Sequence, residues 1–308
     1  MPRMRRTALA CLLLLSSCGA PPSVPAAKAP GPAAAAAAPS PEPASSLAPR
    51  TGRLTKLTPH VFVIVMENKS YAEALAQPFT ARLAAANALA LNYHAVSHPS
   101  LPNYLALTSG STYGIRDDGY HVLPEASIGT QLTAAGLSWR AYMEGMGVSC
   151  LAGNGVYAIK HDPFAYYGGA CPSNVVPMDQ QLDADLAAPP EQALTFSWIT
   201  PDLCHDGHDC SAPDADAFLA GLVGRITASP AFQSGGVLFV TWDEDDGGAG
   251  NRVPLIAAGP GVRPGSSDQA YDHYSLLATV EDLLGLPRLG EAAAAEPLAD
   301  LMSLPKAA

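Results

Sequence analysis

Four consecutive carboxylates, Asp243 to Asp246, follow an apolar run that ends at Trp242. Turned inward together they would repel one another strongly without a cation. Asp243 and Glu244, nearest the strand end, are therefore candidate metal ligands, whereas Asp245 and Asp246 suit a solvated turn equally well. The D-x-D-x-D-G spacing and distal Glu of a calcium-binding EF-hand are absent. Ser100 precedes Leu101, Pro102, Asn103 and the helical string NYLALTSG, which puts its hydroxyl at a helix N-terminus. The free N–H groups and the dipole there favour an anion such as a phosphoryl group, and a plain N-cap role fits the same position. His208 lies in the acidic string HDGHD, and His273 opens a helical pattern after a long loop. Imidazole beside carboxylates suits a divalent first-row metal, and two such ions can clamp the attacking and leaving oxygens of phosphoryl transfer. A G-x-S-x-G elbow is missing, since the nearest string, SGSTYG from Ser109 to Gly114, has the wrong spacing; this argues against serine-esterase chemistry.

The elements that must position these groups are apolar runs without alternation: Val61 to Met66, Trp139 to Met143, Thr195 to Thr200 and Val237 to Trp242, with a fifth from Val253 to Ala258. Runs of this kind predict strands buried on both faces of a mostly parallel sheet. Helical patterns fall at Ala72 to Leu89, Ser127 to Ala135, Asp216 to Ala228 and His273 to Leu284. Ser127, Asp214 or Asp216, and Asp272 stand as N-caps, and Gly285 as a C-terminal stop. The alternation predicts a three-layer α/β sandwich with a mostly parallel central sheet, and in such sheets active sites gather at the carboxyl ends of strands. Those ends read MEN, MEG, TPDLCHDGHD and WDEDD, so acidic residues converge on one edge. The Gly-, Pro- and Tyr-rich stretch from Gly145 to Gln192 is the least regular and reads as an insertion folded over the site.

The chain has 308 residues, 48% of them hydrophobic, enough for one sizeable core. Arg3, Arg5 and Arg6, the apolar run Ala8 to Leu15 and the tetrad LSSC ending at Cys18 have the form of an export signal too short to span a bilayer. The tetrad resembles the bacterial lipobox, which predicts a lipoprotein signal peptide over 1–18 and acylation of Cys18; cleavage near Ala20 as a plain signal peptide is the alternative. Residues 19–55, rich in Ala, Pro and Ser, read as a tether, and 56–308 as a single catalytic domain. The protein is expected to be exported, to the periplasm or the cell surface, with a membrane as partner through its lipid. Cys150, Cys171, Cys204 and Cys210 form an even set for an oxidising compartment, and sequence proximity favours Cys150 with Cys171 and Cys204 with Cys210, one of three connectivities. Spacings without CxxC character argue against zinc ligation by these four. A formal net charge of −11 excludes nucleic-acid binding by broad electrostatics; a phosphate ester would need bound cations to reverse the local field.

Taken together, ENKSY (Glu67 to Tyr71), SHPSLPNYLALTSGSTYG (Ser97 to Gly114), KHDPFAYY (Lys160 to Tyr167), TPDLCHDGHDC (Thr200 to Cys210), TWDEDDG (Thr241 to Gly247) and HYSLL (His273 to Leu277) resemble the bacterial phosphoesterase family of secreted acid phosphatases, phosphatidylinositol-3-phosphate phosphatases and phospholipases C, which has the alkaline-phosphatase-like fold. The resemblance implies a metal site of Glu67, Asn68, Ser100, Asp243 and Glu244 around Ser100 as nucleophile. It further implies that His161, Asp206, His208 and His273 bind the phosphate or a second metal, with His161 and Asn103 on the substrate and His208 or His273 as the base for water. Asp243-Glu244 stands where better-known two-zinc relatives have Asp-His, which leaves the divalent ion open among Zn, Mg, Ca, Mn and Fe. The implied reaction is hydrolysis of a phosphoric monoester, small or carried on a lipid head group, through a phosphoseryl intermediate. A phospholipase C-type phosphodiesterase and a non-catalytic metal-binding surface lipoprotein are the alternatives.

Overall fold

The computed structural model describes residues 59–303. The export signal, Cys18 and the tether fall outside them. The sheet is built on β1 (Val61–Met66), whose six residues are all buried, as are those of β6 (Val237–Trp242) beside it. β5 (Phe196–Thr200) flanks β1 on the other side, followed outward by β3 (Trp139–Met143) and β4 (Val175–Pro177), all parallel. Beyond β6 come β7 (Leu255–Ala258), β2 (Ala88–His94) and β8 (Gly265–Asp272), giving the order β4-β3-β5-β1-β6-β7-β2-β8. Only β7 runs against its neighbours, so seven strands deliver their carboxyl ends to one edge. The fifth apolar run is thus a strand, buried as expected but reversed.

Around the sheet lie α1 (Tyr71–Leu75), α2 (Pro78–Ala86), α3 (Ser100–Ser109), α4 (Ile128–Ala134), α5 (Met178–Leu186), α6 (Ala212–Ala228), α7 (Pro230–Gln233) and α8 (His273–Leu284). Every residue of α3 is buried. Its end is sealed by Gly110 in the left-handed conformation, where a side chain would collide with the Leu289 carbonyl. Ser127 and Asp272 cap α4 and α8 as read from the sequence, Asp272 in a reciprocal box with Ser275. No described helix is long and apolar enough to cross a membrane.

Three expectations are corrected. The helix expected over Ala72 to Leu89 is α1 and α2 followed by the start of β2, because Pro78 has no N–H to continue a helix and instead begins a new one. Neither Asp214 nor Asp216 is the N-cap of α6. Ser211 is, and the Asp216 carboxylate turns away to accept from the Phe79 and Thr80 amides and the Thr80 hydroxyl, capping α2. The stretch from Gly145 to Gln192 is irregular only in part, since it also supplies β4 and α5 at the sheet edge. Cys150–Cys171 and Cys204–Cys210 are bonded, the pairing that sequence proximity favoured, which marks an exported protein.

Candidate active site

Glu67 follows the last residue of β1, and its amide donates to the Asp206 carbonyl at 2.9 Å. Asp243 follows β6, and its amide donates to the Met66 carbonyl at 2.9 Å. Parallel strands therefore set these acidic residues side by side with their backbones already paired. Asn68 takes a positive φ of 51°, a conformation Asn tolerates better than most residues, and its N–H donates to Asp243 Oδ1 at 3.1 Å. The loop after β5 is closed by Cys204–Cys210. Gly207, at φ 99°, turns the chain so that Asp206 is buried while the His208 amide donates back to its Oδ1 at 2.7 Å.

Ser100 is the first residue of α3, but Pro99 occupies the N-cap position and the serine side chain makes no capping bond. Its hydroxyl, buried, lies 3.2 Å from Glu67 Oε2 and 3.4 Å from Glu244 Oε1. Four carboxylates, Glu67, Asp206, Asp243 and Glu244, are thus buried about one hydroxyl. Burial, reinforced by neighbouring carboxylates, pushes Glu67 and Asp206 well above the usual carboxylate range, and burial with Glu244 beside it brings Asp243 up to about 7. Burial and Asp118 likewise push Glu244 up to about 7.

His161 packs flat against Tyr104, with Nε2 3.2 Å from Glu67 Oε1 and Nδ1 3.2 Å from Asp206 Oδ2. Burial holds it well below the ordinary histidine range, so its ring is neutral and carries one N–H. One of the two contacts therefore sets lone pair against lone pair unless a carboxyl proton or a cation lies between. His161 Nε2, Asp206 Oδ2 and Asp243 Oδ2 are all buried without a hydrogen-bond partner among the described residues. Glu67, His161 and Asp206 bring ligand atoms within 4.8 Å of one another. Oxygen-rich donors with one imidazole suit a hard or borderline divalent ion, so the residues present fit a metal.

His208 rests on the rim. Its Nδ1 is 2.7 Å from Asp209 Oδ1, and its Nε2 is 3.2 Å from the Lys160 ammonium. His273 is elsewhere engaged: Nε2 meets the Asp243 carbonyl at 2.7 Å and Nδ1 the Tyr93 hydroxyl at 2.8 Å, and burial drops it to about 4. It braces Asp243 from behind and has no nitrogen left for water, which removes it as a base. Asn103 also differs from expectation. Its Oδ1 accepts from the Val96 and Ser97 amides, each at 3.0 Å, and its Nδ2 donates to the Ser97 and Pro99 carbonyls at 2.9 and 3.2 Å. This side chain fixes the segment that delivers Ser100 and does not face substrate. Asp245 accepts from the Gly247, Ala249 and Asn251 amides, so it builds the turn.

Sequence reasoning missed several neighbours. The Tyr104 hydroxyl donates to Glu67 Oε1 at 2.6 Å, His98 Nδ1 reaches Glu244 Oε2 at 2.6 Å, and the Lys160 ammonium donates to Asp118 Oδ2 at 3.0 Å. Asp162, accepting from the Tyr157 hydroxyl and the Phe164 amide, sets the turn that presents His161. Of these, Lys160 and Asp162 stand beside His161 in KHDPF and His98 and Tyr104 lie in SHPSLPNY around Ser100, whereas Asp118 lies outside every string singled out. A second group, Glu144, Asp202 and His205, joins the ends of β3 and β5, with the His205 ring stacked on Phe218.

The sequence model of the phosphoesterase family matches residues 73–287. The chain belongs to that family. This phosphoesterase is 33% identical to a phosphatidylinositol-3-phosphatase of Mycobacterium tuberculosis, the match covering 82% of this chain and 87% of the relative. It is 30% identical to a probable acid phosphatase of Kluyveromyces lactis, over 74% of this chain and 59% of the relative. The chain therefore spans less than two thirds of that yeast relative. Family membership makes it a hydrolase of phosphoric ester bonds. In fold, this phosphoesterase is similar to an alkaline phosphatase superfamily protein of Vibrio parahaemolyticus (TM-score 0.57, 11% identity, 76% of this chain and 69% of the other). It is similar also to murine ectonucleotide pyrophosphatase/phosphodiesterase 5 (TM-score 0.60, 12% identity, 80% of this chain and 100% of the other). At such identities the likeness is one of fold alone.

Proposed function

We propose that this phosphoesterase is a metal-dependent phosphoric monoester hydrolase of the acid phosphatase kind, with Ser100 as nucleophile. The observation that carries the reading is the Ser100 hydroxyl buried between Glu67 and Glu244 at the start of α3, beside buried Asp243, Asp206 and His161 atoms that lack partners. Glu67, Asn68, Asp243 and Glu244 would hold one divalent ion with Ser100, and His161 and Asp206 would share Glu67 with a second. Metal bound there would neutralise the carboxylates and lower the pKa of the serine hydroxyl.

The chain's own groups supply the rest. Asn103 and the segment it fixes aim Ser100 at phosphorus for in-line attack, in which the Oγ–P bond forms as the ester P–O bond breaks. Lys160 and the amino end of α3 meet charge on the equatorial oxygens. His208 has its Nδ1 held by Asp209 and its Nε2 against the Lys160 ammonium; once Lys160 turns to the phosphate oxygens, the freed Nε2 gives a proton to the leaving oxygen and later takes one from the water that cleaves the phosphoserine. Substrates are small or lipid-borne phosphate monoesters. Phosphoinositides head the set, given the mycobacterial relative's name and a tether, residues 19–55, that would hold the 56–308 domain near a membrane through Cys18 in the periplasm or at the cell surface.

The test is p-nitrophenyl phosphate hydrolysis by metal-analysed protein, before and after chelation, beside Ser100→Ala. Hydrolysis that needs both metal and Ser100 supports the reading. Near-normal turnover by folded Ser100→Ala refutes the nucleophile, and activity only on a phosphodiester refutes the monoesterase assignment.

A further inference from the structure

Asp118 lies in the irregular segment between α3 and α4, with exposed neighbours Arg116, Asp117, Gly119 and Tyr120. Its two carboxylate oxygens take two different donors. Oδ1 accepts from the Leu101 amide at 3.1 Å, the N–H that follows Ser100 at the amino end of α3. Oδ2 accepts from the Lys160 ammonium at 3.0 Å. Pro102 has no N–H, so Leu101 supplies a scarce donor beside the nucleophile. A phosphoryl group attached to Ser100 needs the same two donors for its oxygens.

Among the described residues, 116–119 make no outward hydrogen bond other than those of Asp118, and Asp117 bonds locally, to the Gly119 amide and His121. The anchors lie just beyond: the Tyr120 ring packs on Tyr166 and its hydroxyl donates to the Ala165 carbonyl, while Leu123 pairs with the Tyr166 carbonyl and the Gly168 amide. A half-buried carboxylate on such a segment can be moved at small cost.

We propose that Asp118 is a displaceable internal mimic of the substrate's phosphoryl group, holding the Leu101 N–H and Lys160 until phosphate takes over both and returning to expel the product. The inference rests on the phosphomonoesterase site proposed above. It makes Asp118 a competitor of phosphate, whereas a mere support for Lys160 would aid phosphate binding, and the two roles predict opposite signs.

The experiment is calorimetric titration of inorganic phosphate into metal-loaded full-length protein, for wild type, Asp118→Ala, Asp118→Asn and Asp118→Ala/Lys160→Gln, with KM and kcat for p-nitrophenyl phosphate alongside. Removing a charge-assisted competitor is expected to tighten phosphate by about tenfold in Asp118→Ala, less in Asp118→Asn, and to lower KM with it. Adding Lys160→Gln is expected to cancel the gain. Phosphate binding that is unchanged or weaker in both single variants overturns the proposal, whatever the turnover. Tighter phosphate binding in a protein that hydrolyses no monoester upholds it and refutes the function proposed above.

Discussion

Replacing Asn103 by Ala separates positioning from substrate contact. The side chain makes four hydrogen bonds to the backbone of residues 96, 97 and 99 just ahead of Ser100, and it is fully buried. At about 1 kcal/mol net per bond, with partial recovery by water at the half-buried amides, the loss is about 2–3 kcal/mol. In a domain of this size that lowers Tm by roughly 4–12 °C. The freed segment no longer fixes the start of α3, and if Ser100 is the nucleophile, as proposed, its misplacement by about 1 Å lowers kcat by about a hundredfold. KM should hold, because no Asn103 atom is left over for the ester. Asn103→Asp keeps the acceptor for two amides and loses both donors, so it should melt between the two. Thermal melts and steady-state kinetics on metal-loaded protein read all of this. An unchanged Tm, or a raised KM with kcat intact, would show that Asn103 serves the substrate and that the positioning argument is wrong.

Asp243→Asn should lower bound metal, measured by elemental analysis, while Ser100→Ala retains it; equal metal in both would remove Asp243 from the ligand set. Asp216→Ala should cost about 1–3 kcal/mol in denaturant unfolding, since it strips α2 of a charged cap, with kcat/KM unchanged. Glu281 is buried with Oε2 unpartnered among the described residues, and burial pushes its carboxyl up to about 8. A folded pKa raised above the unfolded value means stability from this group is complete below about pH 4. It falls by up to about 1.4 kcal/mol per pH unit as pH rises, and is gone above about 8. Glu281→Gln should flatten that part of the stability profile between pH 5 and 8, and an unaltered slope would assign the pH dependence elsewhere.

The sheet centre was legible because β1, β3, β5 and β6 are apolar on both faces, and their polar ends announced the acidic edge. Three strands were not. β4, VVP, is only three residues long and lies inside the Gly-, Pro- and Tyr-rich stretch. β2, ALALNYH, is Ala-rich enough to pass for the end of a helix, and β8, GSSDQAYD, buries only Ser267 and Tyr271, so no apolar pattern marks it. Within the site, Glu67, Asp243, Glu244 and Ser100 were found because each directly ends or begins an element. Asp118, Tyr104 and His98 were not, because their roles arise from contacts across the fold that no local spacing encodes. His273 and Asn103 stand in the right strings, yet what their polar atoms bond to could only be read from the folded chain.

The charge at the site bears on why an acidic chain should handle anionic esters at all. Glu67, Asp206, Asp243 and Glu244 are buried near Ser100, with Asp118 at the mouth, against the positive charges of Lys160 and of Lys69, whose ammonium donates to the Asn68 and Gly207 carbonyls. His161 is kept neutral by burial and cannot help. Left to these groups, the pocket would either take up protons or repel a phosphate. Burial strengthens that repulsion, because little water remains to screen it. The same carboxylates would become an asset with divalent charge among them, since they would hold the cations that offset their own repulsion of the ester. An arrangement too acidic to bind phosphate by itself is thus what a metal-dependent phosphoesterase requires, and the net charge of −11 is compatible with the activity because the sign that matters is set within a few ångströms of Ser100.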